Sequence, residues 1–168
     1  TLPSHVSLLT GLYPYQHGVG WKTDKALLDS QYPTLTEALR SLGYRTTGFS
    51  ANVFWVTRDR GFARGFIRFE DYFHSVSDMI FHTFYGRVTE IFLLRRLGFE
   101  DIPARKWASD VNRAVLRWVD RDRGRPFFVF INYMDVHDPY LPPQPYRNRF
   151  SELKDPGGIL NWRVGRSD

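Results

Sequence analysis

The run Phe127–Ile131 is the feature that most restricts the fold of this chain. Its five residues are all apolar, and they directly follow Arg125 and Pro126. A strand with one face in water alternates apolar and polar side chains, so an uninterrupted run predicts a strand buried on both faces. Such strands are typical of parallel sheets that are covered by helices.

A helix–strand unit also occurs earlier in the chain. Thr34 and Glu37 have the spacing of a capping box, which predicts the start of a helix. Gly43 stands where that helix would end, and residues 44–50 have the composition of a short strand. The helix carries one apolar stripe, formed by Leu35, Ala38, Leu39 and Leu42.

The remaining elements complete an α/β pattern. A helix is expected from the start of the chain to Gly11, where glycine supplies a stop, and a loop over 13–20. Further helices are expected over 78–97 and 103–120, and the proline-rich residues 142–168 have the composition of a surface loop. Helix, short loop and strand, twice over, predict an α/β fold with a largely parallel central sheet flanked by helices.

Composition excludes several classes of function. The chain of 168 residues has no cysteine, which rules out disulfides and a thiol nucleophile, and its formal net charge of +5 is spread without a basic run. We therefore expect no nucleic-acid partner. No apolar stretch reaches the roughly 18 residues that a membrane span needs. Phosphate-binding P-loops, dinucleotide glycine fingerprints and zinc-protease histidine pairs are also missing from the sequence.

The first candidate site lies in the turn Thr1–His5. A hydroxyl just ahead of a helix start lies among unpaired backbone N–H groups and at the positive end of the helix dipole. This setting favours a bound sulfate or phosphate, but the same spacing also fits an ordinary Thr or Ser helix cap. His5, in the same turn, either donates to an anion or lies on the surface.

The second candidate site is the segment 132–140, directly after the apolar run. Ligands of open α/β sheets bind at the carboxyl ends of strands, so this loop is where chemistry is expected. His137 has the chemistry of a general acid or of an anion contact. The alternative is a loop histidine held by Asp135 or Asp138, which are themselves either metal ligands or turn residues.

Taken together, these segments resemble the sulfatase family of the alkaline phosphatase superfamily. The first block resembles the family signature of Cys or Ser, any residue, Pro-Ser-Arg and then Thr-Gly. The last resembles its Pro-Phe-Phe…His-Asp-Pro-Tyr-x-Pro-Pro stretch. The similar blocks occur in family order: Thr1–Gly11, Thr34–Phe49, Gly61–Phe69 and Phe127–Pro143.

The resemblance implies a hydrolase of sulfuric or phosphoric esters that uses an oxygen nucleophile and a covalent intermediate. By motif position Thr1 is the nucleophile and a ligand of a divalent metal (Ca, Mg, Mn or Zn). His5 replaces the family's arginine beside the nucleophile, and His137 matches the histidine that protonates the leaving oxygen. Asn52 lies where sulfatases usually place a lysine and a histidine, and it offers one hydrogen-bond donor instead.

Threonine at position 1 changes the expected chemistry. Sulfatases convert Cys or Ser to formylglycine, whereas oxidation of Thr1 would give a ketone, so Thr1 is expected to act as a plain hydroxyl. Relatives with threonine include phosphodiesterases and phosphoglycerol or phosphoethanolamine transferases. A phospho-transferase and a non-catalytic anion-binding relative are therefore alternatives. The expected substrates are small-molecule, glycan or lipid-headgroup esters.

The metal site of the family also bears on domain organisation. It needs an Asp pair on a strand before the nucleophile and an Asp with His or Asn well after residue 168. Asp24, Asp29 and Asp155 match neither motif. We therefore expect residues 1–168 to form part of a sulfatase-like catalytic domain, without its N-terminal strand and its C-terminal metal-ligand half.

Overall fold

The structure of the protein is a computed structural model that describes residues 2–20, 32–52, 54–71, 106–137, 146 and 149. The chain divides into two compact units. The first comprises Thr1–Tyr72 and Ala108–Tyr133, and the second comprises Phe73–Trp107 and Met134–Asp168. The helix expected over 78–97 and most of the loop expected over 142–168 lie outside the described residues.

The first unit is built on a parallel sheet of three described strands, β1 (Arg45–Ser50), β2 (Arg68–Glu70) and β3 (Phe127–Asn132). Their order is β2-β1-β3, so β1 lies in the centre. In the register, Ser50 of β1 pairs with Asn132 of β3. The predicted α/β class with a parallel sheet is confirmed. The strand β2 was missed because it is three residues long within a turn-rich segment.

Burial along the strands differs from the sequence prediction. All six residues of β1 are buried, whereas only Phe130 is fully buried in β3. The prediction of a strand buried on both faces is therefore wrong for Phe127–Ile131. Its position explains the difference: among the described strands β3 is hydrogen-bonded on one side alone, while the central β1 is covered on both edges.

Four helices are described in the first unit: α1 (Leu2–Thr10), α2 (Pro14–His17), α3 (Leu35–Ser41) and α4 (Ala108–Asp120). The predicted α1 is confirmed, and α2 replaces the first part of the loop expected over 13–20. Pro14 at its first position, and Gly18 in the left-handed region at φ 71°, start and end this single turn. The helix expected from 103 begins only at Ala108, since residues 106 and 107 are not helical.

The predicted capping box of α3 is present. The Glu37 amide donates to Thr34 Oγ1 at 3.1 Å, and the Thr34 amide donates to Glu37 Oε2 at 2.9 Å. The apolar stripe is not the buried face, because Leu35 is 44% exposed and Thr36 is fully buried. Gly65 packs against the Thr36 side of the helix, so closely that a Cβ there would lie 2.5 Å from the Glu37 nitrogen.

The sheet has two covered faces, which we call the α1 face and the α4 face. Alternation along the strands places Gly48 and Asn132 on the α1 face and Arg45 on the α4 face. A Cβ on Gly48 would lie 2.4 Å from the Phe69 ring, so glycine leaves room for the aromatic core beneath α1. The core of the α1 face comprises Leu2, Val6, Leu9, Val19, Val56, Phe62, Phe66, Phe69 and Phe130.

Candidate functional site

Polar side chains meet on the α1 face where β1 and β3 end. Ser50 and Asn132 are partners in the register, and the amide of Ala51 donates to the Asn132 carbonyl at 2.9 Å. The carboxyl ends of the two strands are thereby fixed side by side. This is the edge at which parallel α/β sheets bind ligands.

His5 reaches this edge from α1. It lies three residues after Leu2 and four before Leu9, both buried, so it projects from the margin of the helix's core face. Its ring meets the rings of Phe62 and Phe130 edge-on, with centroids 6.4 and 6.1 Å away. Its Nε2 lies 3.0 Å from Nδ2 of Asn132. His5 is thus attached to the end of β3 and is not a solvent-facing residue of the helix surface.

Asn52 follows β1 and is held in a fixed orientation. Its backbone amide donates to Ser50 Oγ at 3.1 Å, and its side chain is only 3% exposed. Its Oδ1 accepts from the amides of Phe54 and Trp55, at 3.3 and 3.0 Å. Both acceptor positions of the side-chain oxygen are therefore used to cap the following turn. The Nδ2 donor makes no hydrogen bond within the described residues.

A buried ion pair near this edge lies on the other face of the sheet. Glu70, at the end of β2, is fully buried and is bound by Arg68 at 2.7 Å. Because side chains alternate, Glu70 and Arg68 project from the α4 face, opposite Phe69. The next residue, Asp71, accepts from the Arg58 amide through its Oδ2 at 2.6 Å. The charge of Glu70 is therefore kept away from the α1 face.

Comparison with known proteins identifies the family. The family model for sulfatases matches residues 1–164, which is nearly the whole chain. The chain belongs to the sulfatase family. A search of the curated proteins found no match. Membership implies activity of the hydrolase type on sulfate or phosphate esters, within the alkaline phosphatase superfamily.

Two of the sulfatase residues predicted from sequence are not placed in this site by the structure. Thr1 lies outside the described residues, although α1 begins at the next residue. His137 belongs to the second unit, where it is exposed and its amide donates to the Met134 carbonyl at 3.1 Å. The roles of Thr1 as nucleophile and of His137 as general acid stay predictions.

Sulfatases generally bind a divalent metal. Within the described residues no group of three or more His, Asp or Glu side chains could hold a metal ion. The side chains described for this site at the ends of β1 and β3 are amides and an imidazole. Metal binding through Thr1 stays a prediction. In the described part of the chain no helix is long and apolar enough to cross a membrane.

A second histidine, His17 of α2, lies against α1. The amide of Val19 donates to Nδ1 of His17 at 3.1 Å, so this nitrogen is unprotonated and Nε2 carries the ring proton. Nε2 lies 3.1 Å from Ser7 Oγ on α1. Burial lowers the pKa of His17, and a hydrogen bond with the backbone of Pro3 opposes that effect in part. His17 therefore holds α2 against α1 in its neutral form.

Asn132 belongs to this site although no motif of the sequence gives it a role. In the sequence it is the first residue after the apolar run. Its position as the last residue of a buried-type strand was the available signal, because such residues lie at the ligand-binding edge. Its contact with His5 joins residues 127 positions apart, and no local pattern indicates it.

Proposed function

We propose that this sulfatase-family protein cleaves ester-linked sulfate or phosphate, and that the ester anion binds on the α1 face where β1 and β3 end. The observation that carries the proposal is the orientation of Asn52. Its oxygen is occupied by two backbone amides, so its Nδ2 is the group left to donate to a ligand. A buried donor of fixed direction stabilises developing negative charge without reorganising during the reaction.

The proposed reaction has two displacements. The Thr1 oxygen attacks the sulfur or phosphorus, and the bond to the alcohol oxygen breaks while His137 gives that oxygen a proton. Water then attacks the sulfur or phosphorus of the covalent intermediate and the bond to the Thr1 oxygen breaks, which restores the Thr1 hydroxyl. The product is inorganic sulfate from a sulfate ester and a phosphate monoester from a phosphodiester. His5 and Asn52 hold the non-bridging oxygens through both steps.

Transfer to an alcohol acceptor is the second candidate function. It shares the first displacement, and an acceptor hydroxyl replaces water in the second. The threonine at position 1 favours phosphoryl chemistry of this kind, because a secondary hydroxyl cannot give the formylglycine aldehyde on which sulfatases rely. The two candidate functions therefore differ in the second nucleophile, which is water or an alcohol. They also differ in the atom that is attacked, which is sulfur or phosphorus in hydrolysis and phosphorus in transfer.

The test uses the full-length protein with an aryl sulfate, an aryl phosphodiester, and the phosphodiester plus glycerol as acceptor. Thr1→Ala should lower kcat at least 1,000-fold on whichever ester is cleaved, because it removes the nucleophile. Thr1→Ser should retain a large part of the activity. Ser41→Ala, which removes an exposed hydroxyl on α3, is the matched control and should change nothing.

Each outcome of this test decides between the functions. Release of sulfate supports the sulfatase, release of the aryl alcohol together with a phosphate monoester supports the phosphodiesterase, and a glycerol phosphodiester product supports the transferase. Turnover that is unchanged in Thr1→Ala would overturn the hydrolase and the transferase together. Anion binding without any turnover of the wild type would instead favour the non-catalytic relative.

A further inference from the structure

The two polar atoms of the Asn132 side chain differ in their hydrogen bonding. Its Nδ2 lies 3.0 Å from Nε2 of His5, while its Oδ1 is buried and has no hydrogen-bond partner in the structure as described. A buried polar atom without a hydrogen-bond partner is unfavourable, because it has lost its hydrogen bonds to water. The unpaired atom lies at the strand end where the ester is proposed to bind. The residue thus has a feature that packing alone does not explain.

The backbone of Asn132 is fixed by its hydrogen bonds to the neighbouring strand. Its backbone is held in the register opposite Ser50, and its carbonyl accepts from the Ala51 amide. The His5 ring is flanked by Phe62 and Phe130, neither of which offers a hydrogen bond to a ring edge. Asn132 gives the Nε2 edge of the His5 ring a polar partner.

From this geometry we infer that Asn132 is a positioning residue that fixes the ring orientation and the neutral tautomer of His5. An amide N–H donates only to an unprotonated ring nitrogen, so Nε2 accepts and the proton of the neutral ring resides on Nδ1. The inference rests on the proposed function for its consequence, since the His5 ring would then keep one orientation beside the ester anion. It extends the site by one residue that contacts no substrate atom.

The direct test is the tautomer of His5 in the full-length protein labelled with ¹⁵N-histidine, read by NMR at pH 8.5. His5→Gln assigns the signal. Wild type should show the Nδ1–H form. Asn132→Ala should show a mixture, and Asn132→Asp should show the Nε2–H form, because a carboxylate accepts and cannot donate. A wild type in the Nε2–H form, or a tautomer that none of the variants changes, would overturn the inference.

A double-mutant cycle tests whether Asn132 acts through His5. Asn132→Ala should lower kcat/KM roughly tenfold in the wild type and by less than about twofold in a His5→Ala background. A purely structural residue would give the same loss in both backgrounds, and that result would also overturn the inference. Asn112→Ala, which removes an amide that binds the Tyr133 hydroxyl nearby, is the control and should leave kcat/KM unchanged.

Failure of the inference and failure of the proposed function can be told apart. The NMR measurement needs no turnover, so the expected tautomers in a protein without ester-cleaving activity would count against the proposed function alone. An active enzyme in which Asn132→Ala leaves the tautomer and kcat/KM unchanged would count against the role of Asn132 alone.

Discussion

The two ends of the sheet in the first unit differ in how their polar groups are satisfied. At the amino end, the Arg45 guanidinium binds several partners. It donates to the carbonyls of Trp118 and Asp122, lies 4.2 Å from the centre of the Trp118 ring, and pairs with the Asp122 carboxylate at 3.5 Å. At the carboxyl end, the amides of Asn52 and Asn132 each keep one atom without a partner among the described residues.

The difference indicates that the amino end of the sheet stabilises the fold, whereas the carboxyl end binds the ligand. Arg45 satisfies carbonyls at the C-terminal end of α4, which the helix itself cannot pair, and places positive charge at the negative end of its dipole. Such an arrangement stabilises the fold. At the carboxyl end, the Nδ2 donor of Asn52 is available to an anion, whereas the unpaired Oδ1 of Asn132 is an acceptor, which an anion cannot pair. Substitutions at the two ends should therefore have opposite effects on activity and on stability.

Asn52→Asp should give the largest effect on activity. Aspartate keeps the oxygen that caps the turn, but it replaces the Nδ2 donor with an oxygen and adds a negative charge that repels the ester. We expect kcat/KM to fall about 100-fold while the melting temperature changes little. Steady-state kinetics and thermal denaturation of the full-length protein measure both. An Asn52→Asp enzyme within threefold of wild type would remove Asn52 from the site.

Arg45→Met should give the opposite pattern. The side-chain volume stays similar, but the carbonyls of Trp118 and Asp122 lose their donor, while the Asp122 carboxylate keeps Arg125 at 2.9 Å. We expect the free energy of unfolding to fall by about 2–3 kcal/mol with kcat/KM unchanged, as urea denaturation and kinetics would show.

Arg123→Ala provides the control at the same end of the sheet. Arg123 pairs with Asp120, but the two side chains are 78% and 58% exposed, so we expect a change below about 0.5 kcal/mol. Equal losses from Arg45→Met and Arg123→Ala would contradict a specific role for Arg45.

Acid should weaken the attachment of α2 to α1 through His17. We expect this effect on stability to be smaller than that of Arg45→Met. The pKa of His17 is lowered on folding, so between its folded value and the ordinary 6.5 the unfolded chain binds the extra proton. The contribution is therefore complete above about pH 6.5 and is lost as the pH falls below it. We expect the melting temperature of wild type to drop between pH 7.5 and 5.5 by more than that of His17→Gln. Parallel pH curves for the two proteins would exclude this role of His17.

Local patterns in the sequence predicted the elements that local physics determines. The helix that ends at Gly11, the capping box of Thr34 and Glu37, and the strand that follows Gly43 are all confirmed, because each depends on neighbouring residues. Their packing was harder to predict. The apolar stripe of α3 stays half exposed, whereas the Thr36 side packs against Gly65, 29 residues later in the chain.

For the candidate site, the sequence supplies motif positions but not the contacts between residues. His5 and Asn52 were selected by motif position, and the structure gives them partners at the ends of β3 and β1. The hydrogen bond from Asn132 to His5 depends on the register of two strands and on the seating of α1. It could not be predicted from either segment alone. The use of the Asn52 oxygen as a cap, which leaves the amide nitrogen to a ligand, likewise depends on the turn at Phe54 and Trp55.

The most direct test is a crystal structure of the full-length protein with orthovanadate, whose oxygens mimic those of the reacting ester. We expect the vanadate on the α1 face at the ends of β1 and β3, with one oxygen within 3.2 Å of Asn52 Nδ2 and another hydrogen-bonded to the His5 ring. Vanadate bound with both side chains more than about 6 Å away, or Asn52 Nδ2 donating to the protein instead, would contradict the assignment of this edge as the ester site.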